Sequence, residues 1–317
     1  MSKKIRVMTV IGFVVSALLI GLTVQRIDFG TLADTLQGLS FGWLAVAVAV
    51  NIVVMVVKGY RWREAIVVDT PIRFSQTFNV LMVGSMLSNI LPLKAGEVLR
   101  AILLGRQLHR SSANLLSSVG VDRIMDNMGF FAMVALAPLW FELPAGFLPV
   151  AAGLLLLLLG VFIGLFILSR WKWERTRIPA KGFRHYLHQL SFGLGALSRP
   201  RRLAALAICS FVSWMLQVGV ILGLQQAFHM VLPSWAPMFI LLVVNLAIAL
   251  PSTPGHFGTF EYAIIFALVA QFHLPKETAL GFALVYHLIQ WIPITLWGWI
   301  LLGRMGLRVK DLPTNGG

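Results

Sequence analysis

Between residues 145 and 169 no charged side chain occurs, and leucine, valine, glycine and phenylalanine fill most positions. A helix crosses the hydrocarbon core of a bilayer with about 20 predominantly apolar residues, so a run of this length selects lipid as its solvent. It has company. Further apolar stretches cover residues 5–24, 41–57, 74–91, 124–141, 203–227, 235–250, 259–272 and 278–302. The chain is 58% hydrophobic and only 12% charged, against roughly 25% charged in a soluble domain, which excludes a water-soluble globule. The expected class is an all-α polytopic membrane protein forming a single transmembrane domain over residues 1–317. The first run follows Lys3, Lys4 and Arg6 and extends to Val24, beyond the roughly 7 to 15 residues of a signal-peptide core, and no convincing A-x-A site closes it. It reads as a retained span.

Several stretches are too short to cross alone, and their ends carry breakers. The run from Phe74 stops at Pro92, and the residues behind it include Glu97, Arg100, Arg106 and Arg110, which have no place against lipid. Residues 74–110 therefore read as a broken, re-entrant hairpin with its break at Pro92 and Gly96. The pair 235–250 and 259–272 is interrupted in the same manner at Pro251, Pro254, Gly255 and Gly258.

Basic residues orient the chain. The segment from Arg170 to Arg202 holds nine Lys/Arg, 58–73 holds four, and the two tails hold three each, whereas 142–144, 228–234 and 251–258 hold none. Cytoplasmic loops are enriched in Lys and Arg, so both termini are expected inside an inner (cytoplasmic) membrane. Each half then contributes three crossings and one hairpin, about six full spans with two re-entrant elements. An odd number per half inverts the second half (145–302) relative to the first (1–141), the logic of inverted-repeat transporters. Leu87, Leu91, Pro92 and Gly96 recur 159 residues later as Leu246, Leu250, Pro251 and Gly255, although Pro254 and Gly258 repeat the Pro-x-x-x-Gly spacing by themselves. The 170–202 segment, with Trp171, Trp173, Tyr186 and Phe192 among its cations, reads as an amphipathic element on the headgroups, and 303–317 as a cytoplasmic tail. The net charge of +14 fits anionic lipid better than nucleic acid. Trp43, Trp62, Trp140, Trp171, Trp173 and Trp235 lie near span ends and read as interfacial belts.

Carboxylates are scarce enough to be placed singly. Asp28, Asp34, Glu64, Asp69, Glu142, Glu174, Glu277 and Asp311 fall in expected loops or tails, as solvated surface. Glu97, Asp122, Asp126 and Glu261 fall at or beside the broken elements, where an ionised group costs about 2.5 to 3.5 kcal/mol on insertion scales. These four need partners. Glu97 and Arg100 share a helix face, with Lys94 just before them. Asp122 and Asp126 share another and repel unless a cation lies between them. Arg100 or Lys94 is expected to reach that face, either as a static ion-pair network or as a polar cavity for a charged headgroup, with Arg123 adjacent. Gly255 and Gly258 admit positive φ and close approach, and open amides at the next helix start attract an anion. His256 reads as a packing residue, a headgroup contact or a proton relay. Glu261 caps that helix or meets a cation, and His287 is left unassigned.

Other chemistry is not indicated. There is no Walker loop, G-x-G-x-x-G or G-x-S-x-G. His185 and His188 lack a companion ligand set, and the single Cys209 excludes an intramolecular disulfide. No catalytic residue, metal or cofactor is expected.

In Pro92, Lys94, Gly96, Glu97 and Arg100 (P-x-[RK]-x-G-E-x-x-R), Asp122, Arg123 and Asp126 (D-R-x-x-D), and Pro251, Pro254, Gly255, Gly258 and Glu261 (P-x-x-P-G-x-x-G-x-x-E), the chain resembles the lysylphosphatidylglycerol synthase transmembrane region family. The resemblance covers nearly the whole chain. It implies an eight-helix-type topology with paired re-entrant segments and movement of a modified or glycosylated lipid between leaflets. His256 and Phe257 depart from the smaller residues expected in that loop, and the synthase domain is missing, so this chain is not expected to make the aminoacylated lipid itself. The expected function is a flippase-like translocase for a polar or modified lipid headgroup, through a charged cavity between the hairpins. Membrane lipids with anionic or modified headgroups are its expected partners. The alternatives are a non-catalytic subunit for a lipid- or glycan-modifying enzyme and an intramembrane lipid transferase with Asp122, Asp126 or His256 as base.

Overall fold

The computed structural model of the chain describes residues 3–25, 27–68, 71–91, 94–110, 112–137, 146–170, 194–249 and 252–306, and every regular element among them is helical. Eleven α-helices follow in order: α1 (Lys3–Val24), α2 (Phe29–Gln37), α3 (Phe41–Ala65), α4 (Phe74–Ile90), α5 (Ala95–Leu108), α6 (Ser112–Leu136), α7 (Phe147–Arg170), α8 (Pro200–Ala227), α9 (Ala236–Ile248), α10 (Thr259–Phe266) and α11 (Lys276–Arg304). Each of the nine apolar stretches is helical over most of its described residues. Among the described residues, α3, α8 and α11 are each long and apolar enough to cross a membrane alone. Their outward faces carry large bare apolar side chains, among them Val53, Ile208, Leu296 and Ile300, which lipid accommodates and water does not. Most of the basic 170–202 segment (171–193, with His185 and His188), the turn at 142–144, the tail beyond Gly306, and the breakers Pro92 and Pro251 lie outside the described residues.

Local chemistry sets the ends. Asp28 accepts from the Gly30 and Thr31 amides at 2.8 and 3.3 Å and so caps α2, which turns 86° away from the part of α1 that begins at Gly12. Asp34 lies within α2 and Glu277 in the first turn of α11, not in loops as expected. Arg304 sits in the last turn of α11, so opposite charges meet the two ends of its dipole. Pro200 opens α8, where the missing N–H would be unpaired in any case. Pro293 lies inside α11 and leaves the carbonyl four residues earlier, on Ile289, without its helical donor. The buried Asn51 side chain of α3 donates to that carbonyl at 2.8 Å.

The chain forms two compact units. One comprises Met1–Val53, Ser85–Gly96 and Leu216–Ile300; the other comprises Val54–Gly84, Glu97–Met215 and Leu301–Gly317. In the first, α10 packs on α1 and α9, Gly223 of α8 lies against Ala47 of α3, and Phe260 and Phe282 flank Tyr286. Both helix breaks, after α4 and after α9, belong to this unit. In the second, α6 packs on α7, and a Cβ added to Gly129 of α6 would stand 2.6 Å from Ser210 Cβ of α8. Such close approach through small residues is how helices hold together without a hydrophobic drive. Trp214 of α8 donates from Nε1 to the Asp126 carbonyl at 2.8 Å, and its ring lies 4.6 Å from that of Phe130.

The helix α3 corrects the sequence reading at one end. Lys58, Arg61, Arg63 and Glu64 were expected in a solvated cytoplasmic loop, but α3 continues through them to Ala65. Trp62, expected at the interface, is buried. The reason is periodic: Ala47, Asn51, Val54, Arg61 and Ala65 are all buried and recur at helical spacing along one stripe.

Candidate functional site

Two polar centres stand out, one in each unit. The first is organised by Arg61. Its guanidinium donates from Nε to Asp122 Oδ1 at 2.7 Å and from Nη1 to Asp126 Oδ1, so a single cation separates two carboxylates that share one face of α6. Arg100 of α5 donates from Nη2 to the other oxygen of Asp122 at 2.9 Å. Outside this buried core, Arg123 and Glu97 form a two-pronged pair at 2.7 and 2.9 Å. The fork geometry matches carboxylate to guanidinium. Arg61 is 2% exposed, whereas the Arg123 side chain is 48% exposed. The centre therefore runs from a buried floor to an open rim.

Aromatic rings line the floor. The Arg100 guanidinium lies 4.6 Å from the centre of the Trp62 ring, and Trp62 Nε1 donates to Ser118 Oγ at 3.2 Å. Lys58 places its ammonium 5.9 Å from the Trp214 ring, within electrostatic reach of Asp126. Rings favour cations over their faces. Four cationic side chains, Lys58, Arg61, Arg100 and Arg123, thus stand against three carboxylates, Glu97, Asp122 and Asp126. The buried Arg100 Nε–H has no hydrogen-bond partner among the described residues. Charge and donor capacity both remain unspent.

The second centre lies where the chain turns between α9 and α10. Pro254–His256 forms a short 3₁₀ turn in which Gly255 has φ +74°, and Gly258, ahead of α10, has φ +85°. A Cβ on Gly258 would stand 2.6 Å from the Ser16 carbonyl oxygen of α1. His256 is itself left-handed, with φ +62°, and its Nδ1 pairs with Ser252 Oγ at 2.7 Å. The amide at the start of α10, expected to be open to an anion, is occupied by the chain: Gly258 N–H donates to Glu261 Oε2 at 2.7 Å. The other oxygen of Glu261 faces His287 Nδ1, and His287 Nε2 faces the Gly255 carbonyl at 2.8 Å. Phe257 and Phe260 lie 4.7 and 4.5 Å from the imidazole. The departure at Phe257 thus gives His287 a packing partner.

Of the residues singled out from sequence, Glu97, Arg100, Asp122, Arg123 and Asp126 come together in the first centre. Gly255, His256, Gly258 and Glu261 come together in the second, and Pro254 opens its turn. Lys94 belongs to the other unit from Asp122. It is exposed, left-handed with φ +52°, and close enough to His256 to act on its charge. Gly96 is buried in the first turn of α5. The sequence reading missed Arg61 and Lys58 and left His287 unassigned. A signal for Arg61 existed in the helical stripe of α3, which extends past the apolar run. Among the described residues no group of three or more His, Cys, Asp or Glu is placed to hold a metal.

The chain is similar to known proteins. The model of the family described as "Lysylphosphatidylglycerol synthase TM region" matches residues 9–298. A UPF0104 membrane protein of Methanocaldococcus jannaschii is 24% identical over 72% of this chain and 98% of its own length. Two UPF0104 membrane proteins of Methanothermobacter thermautotrophicus are also similar. One is 25% identical over 81% of this chain and 82% of its own length, the other 20% over 98% of both.

Proposed function

The chain belongs to the lysylphosphatidylglycerol synthase transmembrane region family, and from that premise we propose that this integral membrane protein moves a lipid with an anionic or modified headgroup between leaflets. One observation carries the reading. Seven ionisable side chains gather among membrane helices with cations in excess and a buried guanidinium N–H unspent. As helix glue this is costly, because replacing such a network by apolar packing often leaves a protein equally or more stable. As a station for a lipid phosphate it has a purpose: Lys58, Arg100 and Arg123 supply the attraction, while Glu97, Asp122 and Asp126 hold the cations in place and balance a cationic headgroup. The acyl chains stay in lipid while the polar end leaves it.

In this reading Lys94, Gly255, His256, Gly258 and Glu261, beside the helix breaks, form a second polar station for the same headgroup. The two broken elements are re-entrant hairpins, and residues 1–141 and 145–302 are inverted halves that alternate access. The termini face the cytoplasm of the inner membrane. The chemistry is transport, with no covalent step.

The test uses liposomes containing fluorescent phosphatidylglycerol, with leaflet transfer read by chemical quenching of the outer dye. The chain should accelerate transfer over protein-free liposomes. Lys58→Met removes the surplus cation and leaves the four hydrogen-bonded acid–guanidinium pairs intact, so transfer should fall about tenfold, the size of one lost charged contact, with thermal stability retained. Transfer equal to protein-free liposomes would overturn the reading.

A further inference from the structure

The turn between α9 and α10 is fastened to α11 by one imidazole, and the proton count of that fastening is fixed by its acceptors. Gly255 offers only a carbonyl oxygen to His287 Nε2, which must therefore carry a hydrogen. Glu261 offers a carboxyl oxygen to Nδ1. Neutral imidazole carries one N–H, already spent on Gly255. One more proton is needed on the line between Nδ1 and Glu261, whether it rides on the ring or on the carboxyl group. With it, both hydrogen bonds close and the pair is neutral overall. Without it, a lone pair faces a carboxylate inside a buried site.

The surroundings add no substitute. Glu261 has its second oxygen committed to the Gly258 amide. His256 on the same turn is engaged with Ser252, Lys94 lies beyond it, and the buried Tyr286 is the neighbour on α11 itself. The elements packed on α10, α9 and α1 from Gly12 to Val24, carry no ionisable side chain. The aromatic faces of Phe257 and Phe260 enclose the ring and favour a cation there.

We propose that His287 and Glu261 form a proton-binding site whose occupancy fastens the 252–258 turn to α11, and that proton release there is coupled to headgroup movement. The coupling rests on the translocase reading; the proton site does not. In the release step the shared proton passes to water, Nε2 keeps its hydrogen on Gly255, and the Nδ1–Glu261 bond is lost. With one of its two hydrogen bonds gone and a lone pair set against the carboxylate, the imidazole holds the turn to α11 less firmly, and rebinding a proton restores the second bond.

Glu261→Gln is the discriminating variant. A glutamine oxygen still accepts from Gly258, and its amide donates to the bare Nδ1, so both bonds to His287 close with no titrating proton. Hydrogen exchange of the 252–262 segment, followed on protein in lipid nanodiscs from about pH 5 to 9 and corrected for intrinsic exchange, reads the fastening directly. In the wild type, protection should fall about tenfold as pH rises; in Glu261→Gln it should stay flat, and in His287→Gln it should be low throughout. Protection in the wild type that does not change with pH, or that changes equally in Glu261→Gln, overturns the proton site.

Leaflet transfer of fluorescent phosphatidylglycerol, with and without a pH gradient, reads the coupling. Transfer that responds to the gradient in the wild type and not in Glu261→Gln supports it. A pH-dependent turn with transfer indifferent to the gradient overturns coupling and leaves the translocase reading standing. A pH-dependent turn with no transfer above protein-free liposomes overturns the translocase reading and coupling together, and supports the proton site alone.

Discussion

At the scale of single residues, Asp122 does the most. It accepts from two guanidinium groups on different helices, Arg61 and Arg100, whereas Asp126 accepts from Arg61 and stands 3.9 Å from the more exposed Arg123. Asp122→Asn would leave two buried cations short of an anion, and removing one partner of a buried pair costs about 3 to 5 kcal/mol. Asp126→Asn should cost less. Thermal unfolding in detergent checks the ranking, and equal losses would mean the two carboxylates are interchangeable. The sequence showed the problem these aspartates pose without showing its solution. Carboxylates four apart on a helix demand a cation, and that much is arithmetic. Arg61 escaped because a basic residue after an apolar run looks the same whether it flanks the membrane or turns inward. Only the face it shares with Ala47 and Val54 tells the two apart.

Among the elements, the turn between α9 and α10 is the most constrained. Its legibility was high because the constraint is covalent: prolines and glycines announce a break whatever surrounds them. Gly258 combines φ +85° with a carbonyl oxygen 2.6 Å from where a Cβ would stand, so Gly258→Ala meets both backbone strain and a collision with α1. Strain of this kind costs of order 1 to 3 kcal/mol before any collision is counted. The variant should therefore lower the unfolding temperature and deprotect the 252–262 amides, as hydrogen exchange would report. An unchanged exchange pattern would mean that α1 yields easily. What sequence could not supply was the partner of the turn. His287 lies far along the chain, and an isolated histidine in an apolar helix carries no sign of what it faces.

For the whole molecule, the run lengths that gave the membrane class rest on composition alone and were read directly. The sorting of residues into two units depends on contacts between distant segments, which no local pattern encodes. It assigns Lys94 to one unit and Glu97 to the other although they are three residues apart. One tie lies within the first unit. Asn51→Leu would strip the Ile289 carbonyl, which Pro293 leaves without its helical donor, of the buried amide that donates to it, a loss of about 1 to 3 kcal/mol. A lowered unfolding temperature is the expected outcome; an unchanged one would mean the carbonyl finds another donor.

That tie reaches further than stability. A rod that lacks one of its own rungs bends there most cheaply, and here the missing rung is lent by a neighbouring rod. The stretch of α11 bearing His287 and the stretch beyond Pro293 are thus joined where α11 lacks a rung of its own and Asn51 of α3 lends one.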